Sequence, residues 1–347
     1  MKPEHILVIR LSAMGDVAMT IPVLHQLLRQ NPDVQITVLT QKFLAPLFEP
    51  LERTTVYPVE TKGKHKGITG LYKLFLELKK QFHFDAVADL HNVLRSKIIT
   101  FLFKMAGVKT ATIDKGRKEK KQLTRKENKQ LIPLKTSFQR YADVFAALNL
   151  PLILNNIQPV FAKQSLPGAA IPLFSNSKKN ICIAPFAKHQ EKTYPLEKMK
   201  AVIKKLSVQT NIQLFFLGGR KNEMAILNEW EKEFPGTINL AGKFSFSEEL
   251  AIISHMDMMI SMDSANMHLA SLFGVPVISV WGATHPFAGF YGWAQSPDNA
   301  VQIDLYCRPC SVFGNKPCYR GDHACMEQLP EKMIIEKVMK INIYSST

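Results

Sequence analysis

Ile6-Leu-Val-Ile-Arg-Leu-Ser-Ala-Met-Gly-Asp-Val17 runs from an apolar, β-branched stretch through a turn of small residues into a helical-period segment, Val17–Gln30. The apolar run lacks polar alternation, which is the pattern of a strand buried on both faces of a parallel sheet. The same rhythm continues outward from it. Gln35–Thr40, Thr55–Val59, Ala86–Leu90 and Thr110–Asp114 read as further strands, and Ile68–Gln81, Ser96–Ala106 and Phe138–Leu148 as helices. Strands separated by helices imply βαβ units with a parallel sheet between helical layers.

The rhythm restarts after a stretch rich in Pro, Gly and Ser. Strands are predicted at Asn180–Pro185, Ile212–Leu217, Thr237–Leu240, Met258–Met262 and Pro276–Val280, with helices at Leu196–Leu206, Asn222–Phe234, Ser247–His255 and Ala265–Phe273. The chain of 347 residues is 46% hydrophobic and 21% charged, enough for two domains of about 100–200 residues each and too apolar for a disordered protein. The expected organisation is therefore a Rossmann-like domain over 1–165, a linker over 166–179 and a second Rossmann-like domain over 180–327. A terminal helix and tail over 328–347 is expected to pack back on the first domain. The fold class is α/β, with two doubly wound domains facing a central cleft, where open sheets of this kind bind ligands.

Charge is distributed unequally. Residues 1–170 hold 26 Lys/Arg and 13 Asp/Glu, net +13, whereas 171–347 hold 18 and 16, net +2, which together make the formal +15. A basic first half calls for an anionic partner: nucleic acid, membrane surface or phosphorylated substrate. Much of the excess lies in Asp114–Lys129, with eight Lys/Arg against three acids, which reads either as a solvated loop or frayed helix, or as a mobile arm for an anionic acceptor or membrane surface. No nucleic-acid motif with interleaved aromatics accompanies it, so nucleic acid is excluded as the expected partner. Met1–Glu4 leads directly into the first strand, and no stretch approaches the roughly 18 apolar residues of a membrane span. A cytoplasmic protein is expected. Its five cysteines read as reduced thiols.

Three segments carry candidate chemistry. The first βα turn has neither GxGxxG nor GxxxxGK[ST], which removes the main support for a dehydrogenase or P-loop NTPase. It offers Gly15 and Asp16 instead, the latter either a helix cap or a general base. Asp263-Ser-Ala-Asn-Met-His268 follows a strand and opens a helix, so Asp263, Ser264, Ala265 and the free N–H groups of the first turn form a candidate diphosphate site. His268 lies one turn in, either facing that ligand or packed in the core. Ala184–Pro195 is the first βα loop of the second domain, and its Lys188, Lys192 and Thr193 are candidate phosphate contacts. A fourth cluster, Cys307, Cys310, Cys318 and Cys325, begins with a zinc-like CxxC but lacks a second short pair; structural zinc and ordinary packing both stay open.

Taken together, these segments resemble glycosyltransferase family 9, the ADP-heptose:lipopolysaccharide heptosyltransferases, over most of the chain. The resemblance rests on Ile9-Arg-Leu-Ser-Ala-Met-Gly-Asp-Val17 with Thr20-Ile-Pro22, on Glu191-Lys-Thr-Tyr-Pro195, and on Asp263–Ala270 with Gly274-Val-Pro276 and Trp281-Gly-Ala-Thr284. It implies a GT-B fold and an inverting, metal-independent transfer of heptose with no cofactor. The implied donor is ADP-heptose on the second domain, and the implied acceptor is a lipopolysaccharide core or related glycolipid on the first, with peripheral contact at the anionic inner face of the inner membrane. Asp16 corresponds to the family's base, Lys192 to its donor-phosphate lysine, and Asp263, Ser264 and His268 to its donor signature. Ser12, Lys115, Arg117 and Lys118 are the candidate acceptor contacts. One departure is Ala265, where the family usually has glycine. Alternatives of the same fold are a different nucleotide-sugar donor or surface-polysaccharide acceptor, and a catalytically silent nucleotide-sugar-binding protein.

Overall fold

The computed structural model describes residues 2–154, 158–175 and 177–344. Asn176, inside the expected linker, and residues 345–347, at the end of the expected tail, lie outside the described residues. Contacts divide the chain into two units: Met1–Arg117 with Lys135–Val160, and Lys118–Leu134 with Phe161–Thr347.

The first unit is built on β1 (His5–Ile9), α1 (Met14–Ala18), α2 (Thr20–Gln30), β2 (Gln35–Thr40), β3 (Thr54–Pro58), α3 (Gly67–Gln81), β4 (Ala86–Asp89), α4 (Leu94–Met105) and β5 (Lys109–Thr112). All its strand pairs are parallel, in the order β3-β2-β1-β4-β5. Ile6, Leu7, Val8 and Ile9 are completely buried, as the unbroken apolar run requires of a central strand. The chain winds one way from β1 to β3 and the other way through β4 and β5, so the loops after β1 and β4 open a crevice at the point of reversal. The single helix expected from Val17 is two helices. Pro22 has no N–H to donate one turn back, which interrupts the ladder, and the Thr20 hydroxyl instead donates to the Val17 carbonyl at 2.7 Å. α3 and α4 pack side by side, with Phe75 edge-on to Phe103 at 4.9 Å.

α5 (Arg117–Leu123) is followed by α6 (Ser137–Ala147), which returns to the first unit. The basic segment is thus not the mobile arm of the first domain that its charge suggests; from Lys118 onward it packs with the second unit. Long cationic side chains bury their stems on aromatic surface while their heads find carbonyls. Lys120 is buried with its ammonium 4.3 Å from the Phe290 ring centroid, and Lys126 stands 4.7 Å from that of Tyr319. The Lys129 ammonium donates to the Cys307 and Pro309 carbonyls at 2.7 and 2.9 Å.

The second unit repeats the plan with β6 (Lys179–Ala184), α7 (Leu196–Ser207), β7 (Ile212–Phe216), α8 (Lys221–Glu233), β8 (Ile238–Asn239), α9 (Phe246–Ile253), β9 (Met258–Met262), α10 (Ala265–Leu272), β10 (Val277–Val280), β11 (Ala300–Val301), α11 (Ala324–Glu327) and α12 (Glu331–Tyr344). The parallel order is β11-β10-β9-β6-β7-β8, with its reversal between β6 and β9. α12, expected to pack back on the first domain, belongs to the second unit. Ile334 and Val338, four residues apart and fully buried, pack into the core with Val202 and Leu206 of α7. Its entry is fixed where Tyr194 and Lys198 both donate to the Leu329 carbonyl, at 2.7 and 2.9 Å. Among the described residues, no helix is long and apolar enough to cross a membrane.

Candidate active site

At the reversal point of the first sheet, the chain leaving β1 meets the chain leaving β4. Arg10, nearly fully buried, spans the two: one guanidinium nitrogen donates to the Leu90 carbonyl at 2.7 Å and the other lies 2.6 Å from Asp16 Oδ2. Burial works against the Arg10 charge, but Tyr141 and Asp16 beside it hold its pKa above the ordinary arginine value. The Asp16 carboxylate is one-third exposed, with its Oδ2 fixed by the guanidinium. Asp16 stands in the first turn of α1 and its Oδ2 also takes a long contact from the Ala13 N–H at 3.4 Å. The ion pair is the stronger constraint.

Behind this pair, Asp89 is completely buried. Burial pushes its carboxyl up, while the His91 and Asn92 N–H groups, both at 2.8 Å, and the Ser96 hydroxyl at 3.0 Å pull the other way. His91 Nδ1 accepts from the Leu11 N–H at 3.3 Å, and burial beside Arg10 and Lys115 lowers its pKa to about 3. Between pH 6.5 and about 3 the unfolded chain therefore binds a proton that the folded chain refuses. Stability should fall as pH drops through 6.5 and level off below about 3. His91→Gln should flatten that acid limb in melting curves recorded from pH 7 to 4; an unchanged slope would show that His91 does not set it. His285, lowered by burial to about 4, adds a component of the same sign that the variant leaves in place.

Of the candidate acceptor residues, the structure brings Lys115 into the field of Arg10, Asp16 and Asp89, where burial and Arg10 depress its pKa. Arg117 acts on the same lysine. Ser12 lies between β1 and α1, whereas Lys118 belongs to the second unit.

The second reversal point holds the second cluster. Lys192 ends a short 3-10 turn, Gln190–Lys192, in the loop after β6, and its ammonium lies 2.9 Å from Oδ2 of Asp263, the residue after β9. Both side chains are well buried, at 14% and 7% exposure. The Thr284 hydroxyl donates to the same oxygen at 2.8 Å. Gly314 adopts φ +70°, and a Cβ there would stand 2.4 Å from Cγ and Cδ of Lys192, so the lysine stem occupies the space that glycine leaves. Ser264 starts α10 without capping it; its hydroxyl pairs with Ser261 at 3.1 Å. The first-turn N–H groups of α10 therefore get no side-chain cap from Ser264, and they stand next to the Lys192 ammonium's partner. Thr193 Oγ1 donates to the His189 carbonyl at 3.4 Å and Lys188 is exposed. His268 is buried in α10.

The sequence profile of glycosyltransferase family 9 (heptosyltransferase) matches residues 71–317, well over half of the chain. The chain belongs to glycosyltransferase family 9. It is 26% identical over 294 residues to the lipopolysaccharide core heptosyltransferase OpsX of Haemophilus influenzae, covering 82% of this chain and 80% of that one. Among solved structures it resembles a family 9 glycosyltransferase from Veillonella parvula, with TM-score 0.78 and 19% identity over 98% of both chains. It also resembles Escherichia coli heptosyltransferase WaaC with ADP-2-deoxy-2-fluoro heptose, with TM-score 0.68 and 17% identity over 97% of this chain and 99% of that one. The two Rossmann-like sheets are those of a GT-B glycosyltransferase.

As a family 9 member, the chain carries its one noted departure, Ala265, without backbone strain. Ala265 is the first helical residue of α10 and is not among the positive-φ positions, so its methyl group carries no backbone strain. Sequence reasoning quoted Arg10 and Thr284 inside the matching motifs without giving them a task. It passed over Asp89 and His91, which the pairing of β1 with β4 brings to this point, and Tyr141, which α6 brings there. It also missed Arg308, which donates to the Gly282 and Thr284 carbonyls at 2.6 and 3.0 Å and to Gln302 Oε1 at 2.8 Å. With the Cys310 and Ser311 N–H groups bonded to the Ala283 carbonyl, Arg308 ties the Cys-rich loop to the strand end that carries Thr284. The four cysteines there are free thiols. Among the described residues no group of three or more His, Cys, Asp or Glu side chains could hold a metal ion. Arg308 organises this loop.

Proposed function

We propose that this glycosyltransferase moves heptose from ADP-heptose to a lipopolysaccharide core or related glycolipid acceptor by an inverting, metal-independent displacement. The observation that carries this reading is the pair of groups at the two reversal points: a carboxylate one-third exposed and oriented by Arg10, and a lysine positioned by Asp263 beside the start of α10. In the reaction an acceptor hydroxyl attacks the anomeric carbon, its proton passes to Asp16, and the bond from that carbon to the diphosphate breaks. Attack from the face opposite the leaving group inverts the configuration. Negative charge grows on the departing ADP, where Lys192 and the N–H groups at the start of α10 supply positive potential at fixed positions. Lys188, Thr193 and Ser264 complete the donor contacts in this reading, and Ser12, Lys115 and Arg117 meet the anionic acceptor. The ADP moiety is supported by the donor analogue in the E. coli WaaC structure, and the acceptor class by the named activity of the H. influenzae relative.

The test is transfer from ADP-heptose to purified lipopolysaccharide core, read by mass spectrometry, with the anomeric configuration of the product read by NMR and a parallel reaction in EDTA. A heptose-sized mass increment with inverted configuration and an unchanged rate in EDTA is expected. Preference for a UDP or GDP sugar, retention of configuration, or loss of activity in EDTA would each overturn the corresponding part.

A further inference from the structure

We infer that the outer face of α3 and α4 is a docking surface for an anionic lipid bilayer. α4, Leu94-Arg-Ser-Lys-Ile-Ile-Thr-Phe-Leu-Phe-Lys-Met105, is apolar on both sides. Its inner face buries Ile99 and Phe103 in the core of the first unit. Its outer face presents Leu94, Phe101 and Met105, which are 75%, 59% and 71% exposed. Their spacing of seven and four residues puts them on one stripe, and Ile98, partly buried, falls on the same stripe. α3 adds a second stripe at four-residue intervals, Ile68, Tyr72 and Leu76, all more than 45% exposed. Phe75 contacts Phe103, and Tyr72 lies 6.1 Å from Phe75, so the α3 stripe borders the seam with α4. Six large apolar side chains held outward by two adjacent rigid helices are more than the scattered exposure of an ordinary surface.

The charges around them choose the occupant. The two helices carry six cations, Lys73, Lys79, Lys80, Arg95, Lys97 and Lys104, and one acid, Glu77. Glu77 is not part of the outer collar. It accepts from the Tyr57 hydroxyl at 2.9 Å and faces His65 at 3.1 Å and Lys64 at 3.5 Å. Lys73, Lys97 and Lys104 are exposed beside the stripes. An apolar row inside a collar of lysines suits an interface where acyl chains meet anionic headgroups: the row enters the boundary while the ammonium groups reach phosphates. A protein partner would have to supply a wholly acidic rim around an apolar groove, whereas an anionic bilayer presents both at any point. The surface rests on its own chemistry; the glycolipid reading of the acceptor supplies only the reason for a bilayer to be at hand. The basic segment 118–134, by contrast, has its Lys120 and Lys129 committed within the second unit.

Flotation of the full-length protein with vesicles of phosphatidylethanolamine and phosphatidylglycerol, free of any saccharide acceptor, tests the inference separately from the transfer activity. The wild type should float with these vesicles and not with pure phosphatidylcholine. Phe101→Glu/Met105→Glu should lower the bound fraction at least tenfold. Lys97→Gln/Lys104→Gln should lower it about fivefold per lysine, less so as salt rises. Both pairs are on the surface, and ADP affinity measured alongside should equal that of the wild type. Absence of flotation by the wild type, or equal flotation by the Phe101/Met105 variant, would overturn the proposal. So would a wild-type dimer in solution that this variant converts to monomer, because the face would then belong to a second copy.

Discussion

Replacing Asp16 by asparagine should reduce kcat for transfer by about 10²–10⁴, the contribution of a positioned general base, while leaving ADP affinity as it was. Asparagine keeps the shape of the carboxylate and an oxygen for Arg10, so the neighbourhood of β1 and β4 should stay folded. The alanine variant would confuse the result, because it leaves the buried Arg10 guanidinium without its 2.6 Å partner and so adds a stability loss to a catalytic one. Calorimetric titration with ADP separates the two contributions. A kcat near that of the wild type in Asp16→Asn would remove the base assignment. A parallel loss of ADP affinity would mean that Asp16 acts through the donor.

The second large effect belongs to the buried pair of Lys192 and Asp263. Asp263→Leu should destabilise the protein by about 3 kcal/mol, because it leaves an ammonium in a site with only 14% exposure and removes the acceptor of Thr284. Lys192→Met should cost less stability and weaken ADP binding strongly, since the diphosphate loses its cation. The double variant Lys192→Met/Asp263→Leu decides whether the pair serves stability or ligand. It should recover most of the melting temperature lost in Asp263→Leu and none of the ADP affinity. Recovery of ADP binding in the double variant would show that the lysine does not meet the donor. A double variant no more stable than Asp263→Leu alone would show that the cost came from packing.

Much of this site could be read from the chain because its parts are local. Asp16 follows β1 by seven residues, and Asp263 follows β9 directly, so a strand-then-helix reading places both at the ligand end of a sheet. Sequence could not show that Arg10, which looks like the residue that breaks the first strand, turns inward to bridge Leu90 and Asp16; that depends on β1 pairing with β4 across some 80 residues. His91 and Asp89 were invisible for the same reason. The segment 114–129 misled in the opposite way. Its charge pattern is that of a solvated arm, and only the three-dimensional position of Phe290 and of the Cys307 and Pro309 carbonyls explains why Lys120 and Lys129 are fixed instead. The helix reading of 96–106 found α4 almost to its ends, but hydrophobic content alone could not say that Leu94, Phe101 and Met105 face outward.

The contact between Lys192 and Asp263 also bears on how quickly the enzyme can let go. A lysine that waits alone would bind the nucleotide at its full Coulombic strength both before and after transfer, and spent ADP would leave slowly. Here the carboxylate holds the same ammonium, so a nucleotide that meets Lys192 as proposed would gain only the difference between two counter-ions. When ADP departs, Asp263 takes the lysine back and the empty state is already satisfied. With Lys192 in its proposed donor role, the pair would shorten the residence time of the product and favour turnover over tight capture.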